Sequence, residues 1–241
     1  VWVAPWASSR VIATPPTAPT KAAMTRPTRS SQAMLARLIV VPLAEAAAIP
    51  GAMTALSLPV ADVRALLARL APRVVVANDN GPAQVVVSGS TADVAELEAS
   101  LKAEEITFQR LPVATAFHSS LVAGACEPFA RFLADVPFAP PALPVYSNAL
   151  AVPHEDAPEA LRAALAGQVA SEVRFVEMVE AMYAAGARTF LEVGPGAVLT
   201  GLLGRILDGR PHLAVNLDRK GRNGVETLQL ACASRPNEAA L

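Results

Sequence analysis

Of the three histidines in this 241-residue chain, one stands where an imidazole can do proton chemistry. His118 lies in Leu111-Pro-Val-Ala-Thr-Ala-Phe-His-Ser-Ser120, between a strand-like run and an apolar helix. An imidazole titrating near ~6.5 at such a loop rim exchanges protons at neutral pH and serves as a general base. A capping or core histidine is the plain alternative. Gly194-Pro-Gly196 is a second place of interest, since amides at a strand-to-helix turn can face an anion. A simple turn accounts for the same residues. Cys126 and Cys232 lie far apart and have neither metal-ligand nor CxxC spacing, so no metal site and a reduced, cytoplasmic protein are expected.

Several elements must position these residues. Ile106 to Val113 alternates like a strand, with Pro112 placing it at an edge. Ser119 or Ser120 can cap the following helix, on which Leu121, Val122, Ala125, Phe129 and Phe132 share a face. Upstream, Ala52–Leu58 reads as a strand and Val60–Leu70 as a helix with Val63, Leu66, Leu67 and Leu70 on one side. Val74–Ala77 and Val85–Ser88 read as strands joined by Asn78-Asp-Asn-Gly-Pro82, a run of turn formers. Thr91 is a candidate cap for a helix through Leu101. The order β-α-β-β-α-β is the split-βαβ, ferredoxin-like arrangement.

Beyond Ser120, strands are expected at Leu143–Ser147, Thr189–Val193 and Leu213–Leu217, as apolar runs suited to a parallel sheet. Helices are expected at Glu159–Val169, Val173–Ala185 and Val198–Leu207. The first thirty residues hold Trp2, Trp6 and five prolines without period, which reads as a disordered or extended leader. Order returns at Ser31–Leu38, and after Arg219 the pattern fades to a tail or truncated helix.

Composition narrows the function classes. Hydrophobic residues make up 53% and charged residues 17%, which marks a largely globular chain. The net charge of −1 with dispersed basic residues argues against a nucleic-acid partner. No apolar run approaches the ~20 residues of a membrane span.

Four blocks, taken together and in order, resemble the acyltransferase family that loads malonyl-type groups onto acyl carrier proteins, including acyltransferase domains of polyketide and polyunsaturated fatty-acid synthases. They are Asn80-Gly-Pro-Ala-Gln-Val-Val-Val-Ser-Gly89, Ala116-Phe-His-Ser119, Val145-Tyr-Ser-Asn148, and Val173-Arg-Phe-Val176 leading to Glu192-Val-Gly-Pro-Gly196 and Leu202. The resemblance implies an α/β fold: an α/β-hydrolase-like acyltransferase body, incomplete here, with a ferredoxin-like βαββαβ insert. In that scheme residues 1–30 are a leader outside the family, 51–113 are the small subdomain, and 31–50 with 114–230 are the partial large subdomain.

The resemblance further implies a serine–histidine ping-pong reaction. Malonyl-CoA and an acyl carrier protein with its phosphopantetheine arm are the implied partners. The coenzyme A thioester is substrate, and no cofactor is expected. His118 takes the place of the catalytic base, and the Val173-Arg174 loop that of the backbone carbonyl orienting it. Asn80, Gln84, Phe117 and Arg174 take substrate-binding positions; turn and strand hydrogen bonding is the plain alternative for Asn80 and Gln84. Phe117 fits the Ala-Phe-His form of malonyl-selective members, where a ring beside the α-carbon excludes a methyl branch.

The family's nucleophile motif, Gly-His-Ser-x-Gly, has no match, because the segment before Gly51 contains no glycine. Nor is the family's carboxylate-binding Arg-Gly-x-x-Met matched: Ser30 and Ser31 hold the Arg and Gly places, and Arg29 is one residue off. Trp2-Val-Ala-Pro-Trp-Ala-Ser8, written as degenerate codons and read one frame away, allows Gly-x-Ser-(Leu or Met)-Gly-Glu. The expectation is that residues before about Ser31 are out of frame and that activity is impaired. A body lacking its amino-terminal strands should be poorly soluble or partly molten, with the insert best ordered. The competing classes are a non-catalytic carrier-protein docking or scaffold fragment of a synthase and a small-molecule-binding α/β module.

Overall fold

The computed structural model describes Arg10–Ala13, residues 50–218, Gly221 and residues 223–234. Strand β1 (Arg10–Ala13) lies within the stretch expected to be a disordered or extended leader. Its Val-Ile pair suits an extended backbone, which finds its partner in a strand far along the chain.

Alternation of apolar residues builds the next six elements: β2 (Ala52–Leu56), α1 (Val60–Leu70), β3 (Val75–Gly81), β4 (Gln84–Gly89), α2 (Thr91–Ala103) and β5 (Phe108–Arg110). This is the expected βαββαβ order. With β6 (Val173–Arg174) they form one five-stranded sheet, β5-β2-β4-β3-β6, antiparallel except for the parallel β3–β6 pair. Leu56 and Val85 are cross-strand partners, as are Thr54 and Val87, so these four share one face. Ala52 and Leu56 on that face pack with Val63 and Leu67 of α1 and Leu97 and Leu101 of α2. Fully burying each such side chain contributes roughly 1.5–3 kcal/mol. On the opposite face lie Met53, Ala77 and Val86, against which Leu111, Val113 and Phe117 pack.

Three expectations about this unit are corrected. The run Asn78–Gly81 is strand rather than turn, and Asn78, Asp79 and Asn80 are buried. Register shifts at Val76/Asn78 and Asp79/Gly81 absorb these residues into the ladder, and the parallel partner β6 pairs with Asn78 and Asp79. The helix cap is Ser90, not Thr91: its hydroxyl accepts from Asp93 N at 3.0 Å. The last strand is also shorter than Ile106–Val113, because β2 pairs only with Phe108–Arg110.

After β5 the chain forms a 3-10 turn over Ser120–Ala125 and then α3 (Cys126–Ala134) and α4 (Pro158–Gln168). Val122, Ala125, Phe129 and Leu133 pack with Ala166 and Val169 of the α4 region, while Leu121 remains exposed. Leu143–Ser147 is not a strand. Pro140, Pro141 and Pro144 remove amide donors there, and the only ladder contact is a single antiparallel bridge between Tyr146 and Pro153.

The helix expected from Val173 starts two residues later, as α5 (Phe175–Ala184), since β6 takes Val173 and Arg174 into the sheet. It is followed by β7 (Thr189–Val193), α6 (Val198–Ile206), β8 (Leu213–Asn216) and α7 (Gly224–Ala233). The chain divides into two units, the division falling between Met178 and Val179, with β1 in the later unit. In that unit β7 pairs in parallel with β8 and antiparallel with β1. Phe190, Leu202, Leu203 and Leu207 are buried there. Helix α7 stands where a tail or truncated helix was expected, and it is capped by Asn223, whose side chain accepts from Val225 N at 2.9 Å.

Candidate active site

The segment that carries His118 begins at a close crossing. Gly51 N donates to Ala114 O at 3.0 Å and Pro50 bridges Thr115, so β2 and the His118 segment enter side by side. A Cβ on Gly51 would lie 2.4 Å from Ala116 N, which only glycine avoids. Two residues on, His118 adopts a left-handed backbone, φ 58°. Ser119 secures the turn: its hydroxyl donates to Ala116 O at 2.7 Å and accepts from Leu121 N at 3.3 Å. That hydroxyl is engaged as a cap.

The ring of His118 is buried against the carboxyl end of α4. Its backbone N donates to Val169 O at 3.0 Å. Nδ1 lies 2.9 Å from Ser171 O and 3.2 Å from Gln168 O. Both partners are acceptors, so Nδ1 must carry the proton, and Nε2 keeps its lone pair. Gln168 O is among the carbonyls a helix end leaves without intrahelical donors, at the negative pole of the helix, and Ser171 lies three residues beyond that end. Burial pushes the imidazole pKa below its ordinary value, with the Ser171 and Gln168 carbonyls opposing. The ring is a neutral base with a defined tautomer; the two carbonyls favour the charge it acquires on taking a proton, and burial, the larger effect, opposes it.

The orienting carbonyls are Ser171 and Gln168 rather than the Val173-Arg174 segment, which corrects the expectation. Val173 and Arg174 are committed to pairing with Asn78 and Asp79. Arg174 N donates to Asn148 O at 2.8 Å, so the Val145–Asn148 block meets the Val173–Val176 block directly. The Arg174 guanidinium is ion-paired with Glu177 and also donates to Leu150 O at 3.4 Å.

Of the remaining candidates, Phe117 packs on both Val86 of the sheet and the α3–α4 cluster, so its ring is held from two sides. Gln84 shares a sheet face with Val86, two residues on, and hence with Phe117. Asn80 is buried in the bulged end of β3.

Sequence reasoning missed a charged group beside the His118 loop. Asp79 is buried on β3, with Glu172, Glu177 and Arg64 acting on it. Burial first, then Glu172 and Glu177, push its carboxyl up to about 6, against the pull of Arg64. An aspartate continuing an apolar strand was the available signal, obscured by the turn-forming asparagines on either side. Ser171 and Gln168 act through backbone carbonyls, which leave no side-chain signature.

In the later unit, Gly194 and Gly196 have φ 153° and 99°, and the turn they make leads into α6. The anion at this helix start is the chain's own: buried Glu192 accepts from Leu199 N at 3.2 Å, Thr200 N at 2.8 Å and the Thr200 hydroxyl at 2.7 Å. Among the described residues no cluster of His, Cys, Asp or Glu could hold a metal ion, and no helix is long and apolar enough to cross a membrane.

The acyl transferase domain family matches residues 28–235. A spectinabilin polyketide synthase system protein of Streptomyces orinoci is 34% identical over 189 residues, covering 77% of this chain and 9% of that protein. The malonyl CoA-acyl carrier protein transacylase of Escherichia coli K12 is 38% identical over 140 residues, covering 58% of this chain and 45% of the enzyme. The aligned region thus spans less than half of these curated relatives. The crystal structure of acyl-carrier-protein-S-malonyltransferase from Bartonella henselae superposes with a TM-score of 0.74 at 30% identity, covering 84% of this chain and 65% of that one.

Proposed function

Because this chain belongs to the acyl transferase domain family, we propose that it carries the general-base and acyl-pocket part of an enzyme moving a malonyl-type group from coenzyme A to the pantetheine thiol of an acyl carrier protein. The observation that supports this best is the seating of His118, with Nδ1 held by Ser171 O and Gln168 O and Nε2 left as the basic nitrogen. In the proposed cycle Nε2 takes the proton of a serine hydroxyl as that oxygen attacks the thioester carbon. The imidazolium returns the proton to the departing coenzyme A sulfur, leaving a malonyl-serine ester. The pantetheine thiol then gives its proton to Nε2, attacks the ester, and the serine recovers its hydrogen. The two carbonyls at Nδ1 stabilise the imidazolium in both halves. Asn80, Gln84, Phe117 and Arg174 are proposed to line the acyl site. The bulk of Phe117 favours malonyl over a methyl-branched group, a difference that a pocket methylene sets at ~1–3 kcal/mol.

The nucleophile is the open half of this reading. No Gly-His-Ser-x-Gly occurs in the sequence, and the reading frame before about Ser31 is proposed as the reason. The chain incubated with radiolabelled malonyl-CoA is therefore expected to retain no label on a denaturing gel. A chain whose upstream residues are restored from the gene's alternate frame is expected to retain it, and to lose it with His118→Ala. Label that survives His118→Ala sinks the base assignment. Carrier-protein binding without label from the restored chain points instead to a docking or scaffold fragment. A gene in which neither alternate frame continues the family pattern into Ser31 sinks the frame reading.

A further inference from the structure

The loop that seats His118 is tethered by charge at a point the reaction scheme does not use. Ser171, whose carbonyl accepts from Nδ1, is followed directly by Glu172. One guanidinium nitrogen of Arg64, on α1, donates to both Glu172 carboxylate oxygens, at 2.7 and 2.9 Å. Arg64 is 108 residues away in sequence, so this pair ties the βαββαβ unit to the His118 loop. On the other side of Glu172, β6 is hydrogen-bonded to β3 through Val173 and Arg174.

The charges near this point do not balance by themselves. Asp79, buried on β3, interacts with Glu172 and Glu177, and its side chain has no hydrogen-bond partner among the described residues. Arg174, the cross-strand neighbour of Asp79, is taken by Glu177. Arg64 is thus the cation bound directly to Glu172, and Arg174 acts on it through space. Without Arg64, Glu172 loses its direct partner while the Asp79 carboxylate still acts on it, and repulsion falls on the residue next to the carbonyl beneath the imidazole.

We infer that Glu172, clamped by Arg64 and flanked by the buried carboxylate of Asp79, is a positioning residue for His118: it holds the Ser171 carbonyl under the ring and so selects the Nδ1–H tautomer. The inference deepens the reading of His118 as the base and rests on it. Arg64 is more than half exposed, so the pair adds little to global stability, and its effect is local.

The test reads the ring itself. With 15N-histidine labelling, the three histidines give separate imidazole signals, and His118→Asn identifies the one to follow. At pH 8 the intact chain is expected to show a protonated Nδ1 and an unprotonated Nε2. Arg64→Gln and Glu172→Gln are each expected to shift the tautomer ratio toward Nε2–H by up to about five-fold, the most that a partly exposed pair sustains. Melting temperatures should remain close to that of the parent chain. Arg64→Lys, which keeps the charge, is expected to recover at least part of the shift and serves as the folded control. Tautomer ratios that match the parent in both Gln variants overturn the inference, as does a shift in Glu172→Gln with none in Arg64→Gln. Because the signal does not depend on catalysis, label transfer that ignores His118 would defeat the base assignment while this result stood.

Discussion

At the scale of single residues, the two titrating groups of the His118 region pull in opposite directions with pH. His118 has a folded pKa below its ordinary value, so its contribution to stability is complete above ~6.5 and is lost as pH falls through the lower folded value. Asp79 is raised from 3.8 to about 6, so the folded state prefers its protonated form; that contribution is complete below 3.8 and is lost as pH rises through about 6. Asp79→Asn should therefore raise the melting temperature more at pH 7.5 than at pH 5. An offset equal at both values would show that Asp79 titrates normally. Phe117→Ala, which opens space between the sheet and the α3–α4 cluster, should relax discrimination against methylmalonyl-CoA by about 10–200-fold in the restored enzyme. Unchanged specificity would remove Phe117 from the acyl pocket.

At the scale of elements, one junction sets where His118 lies and another fixes the start of a helix on the covered face of the sheet. The first is the crossing of Gly51 and Ala116. Gly51→Ala forces a Cβ to within 2.4 Å of Ala116 N, and since that atom is backbone the chain must shift. We expect a loss of about 1–3 kcal/mol in urea unfolding, the range for overpacking; a neutral Gly51→Ala would mean the crossing is looser than described. The second is the start of α2. Ser90 caps Asp93 N at 3.0 Å and donates to the Asp93 carboxylate at 2.5 Å, which helps hold that carboxyl below its ordinary range. Ser90→Ala should cost ~1 kcal/mol, whereas Thr91→Ala, at the position first taken for the cap, should cost less. The reverse order would return the cap to Thr91.

At the scale of the molecule, the two units have sheets of different kinds. The five-stranded sheet is covered by α1 and α2, and Val63, Val85, Val87, Leu97 and Leu101 on that face are fully buried. The three-stranded sheet β1-β7-β8 has strands of four and five residues. Opening free energies follow buried apolar contact. Native-state hydrogen exchange should accordingly find its slowest amides in β2 and β4, with β7 and β8 exchanging sooner. Equal protection in both sheets would show one cooperative unit and would count against the expectation that the insert is the best-ordered part.

Short-range patterns made much of this legible in advance. The span Val60–Leu70, the Thr189–Val193 strand and the βαββαβ order follow from periodicity and turn chemistry, which act over a few residues. His118 stood out because a lone histidine between a strand and an apolar helix is a local feature. What tertiary structure decided was non-local. Asn78 and Asp79 became strand because β6, nearly a hundred residues away, supplied a parallel partner. Leu143–Ser147 stayed out of the sheet because Pro144 within it, and Pro140 and Pro141 just before it, remove the donors a ladder needs. The acceptors for Nδ1 turned out to be the Ser171 and Gln168 carbonyls, since backbone oxygens are present in every residue and only the path of the chain determines which ones face a ring.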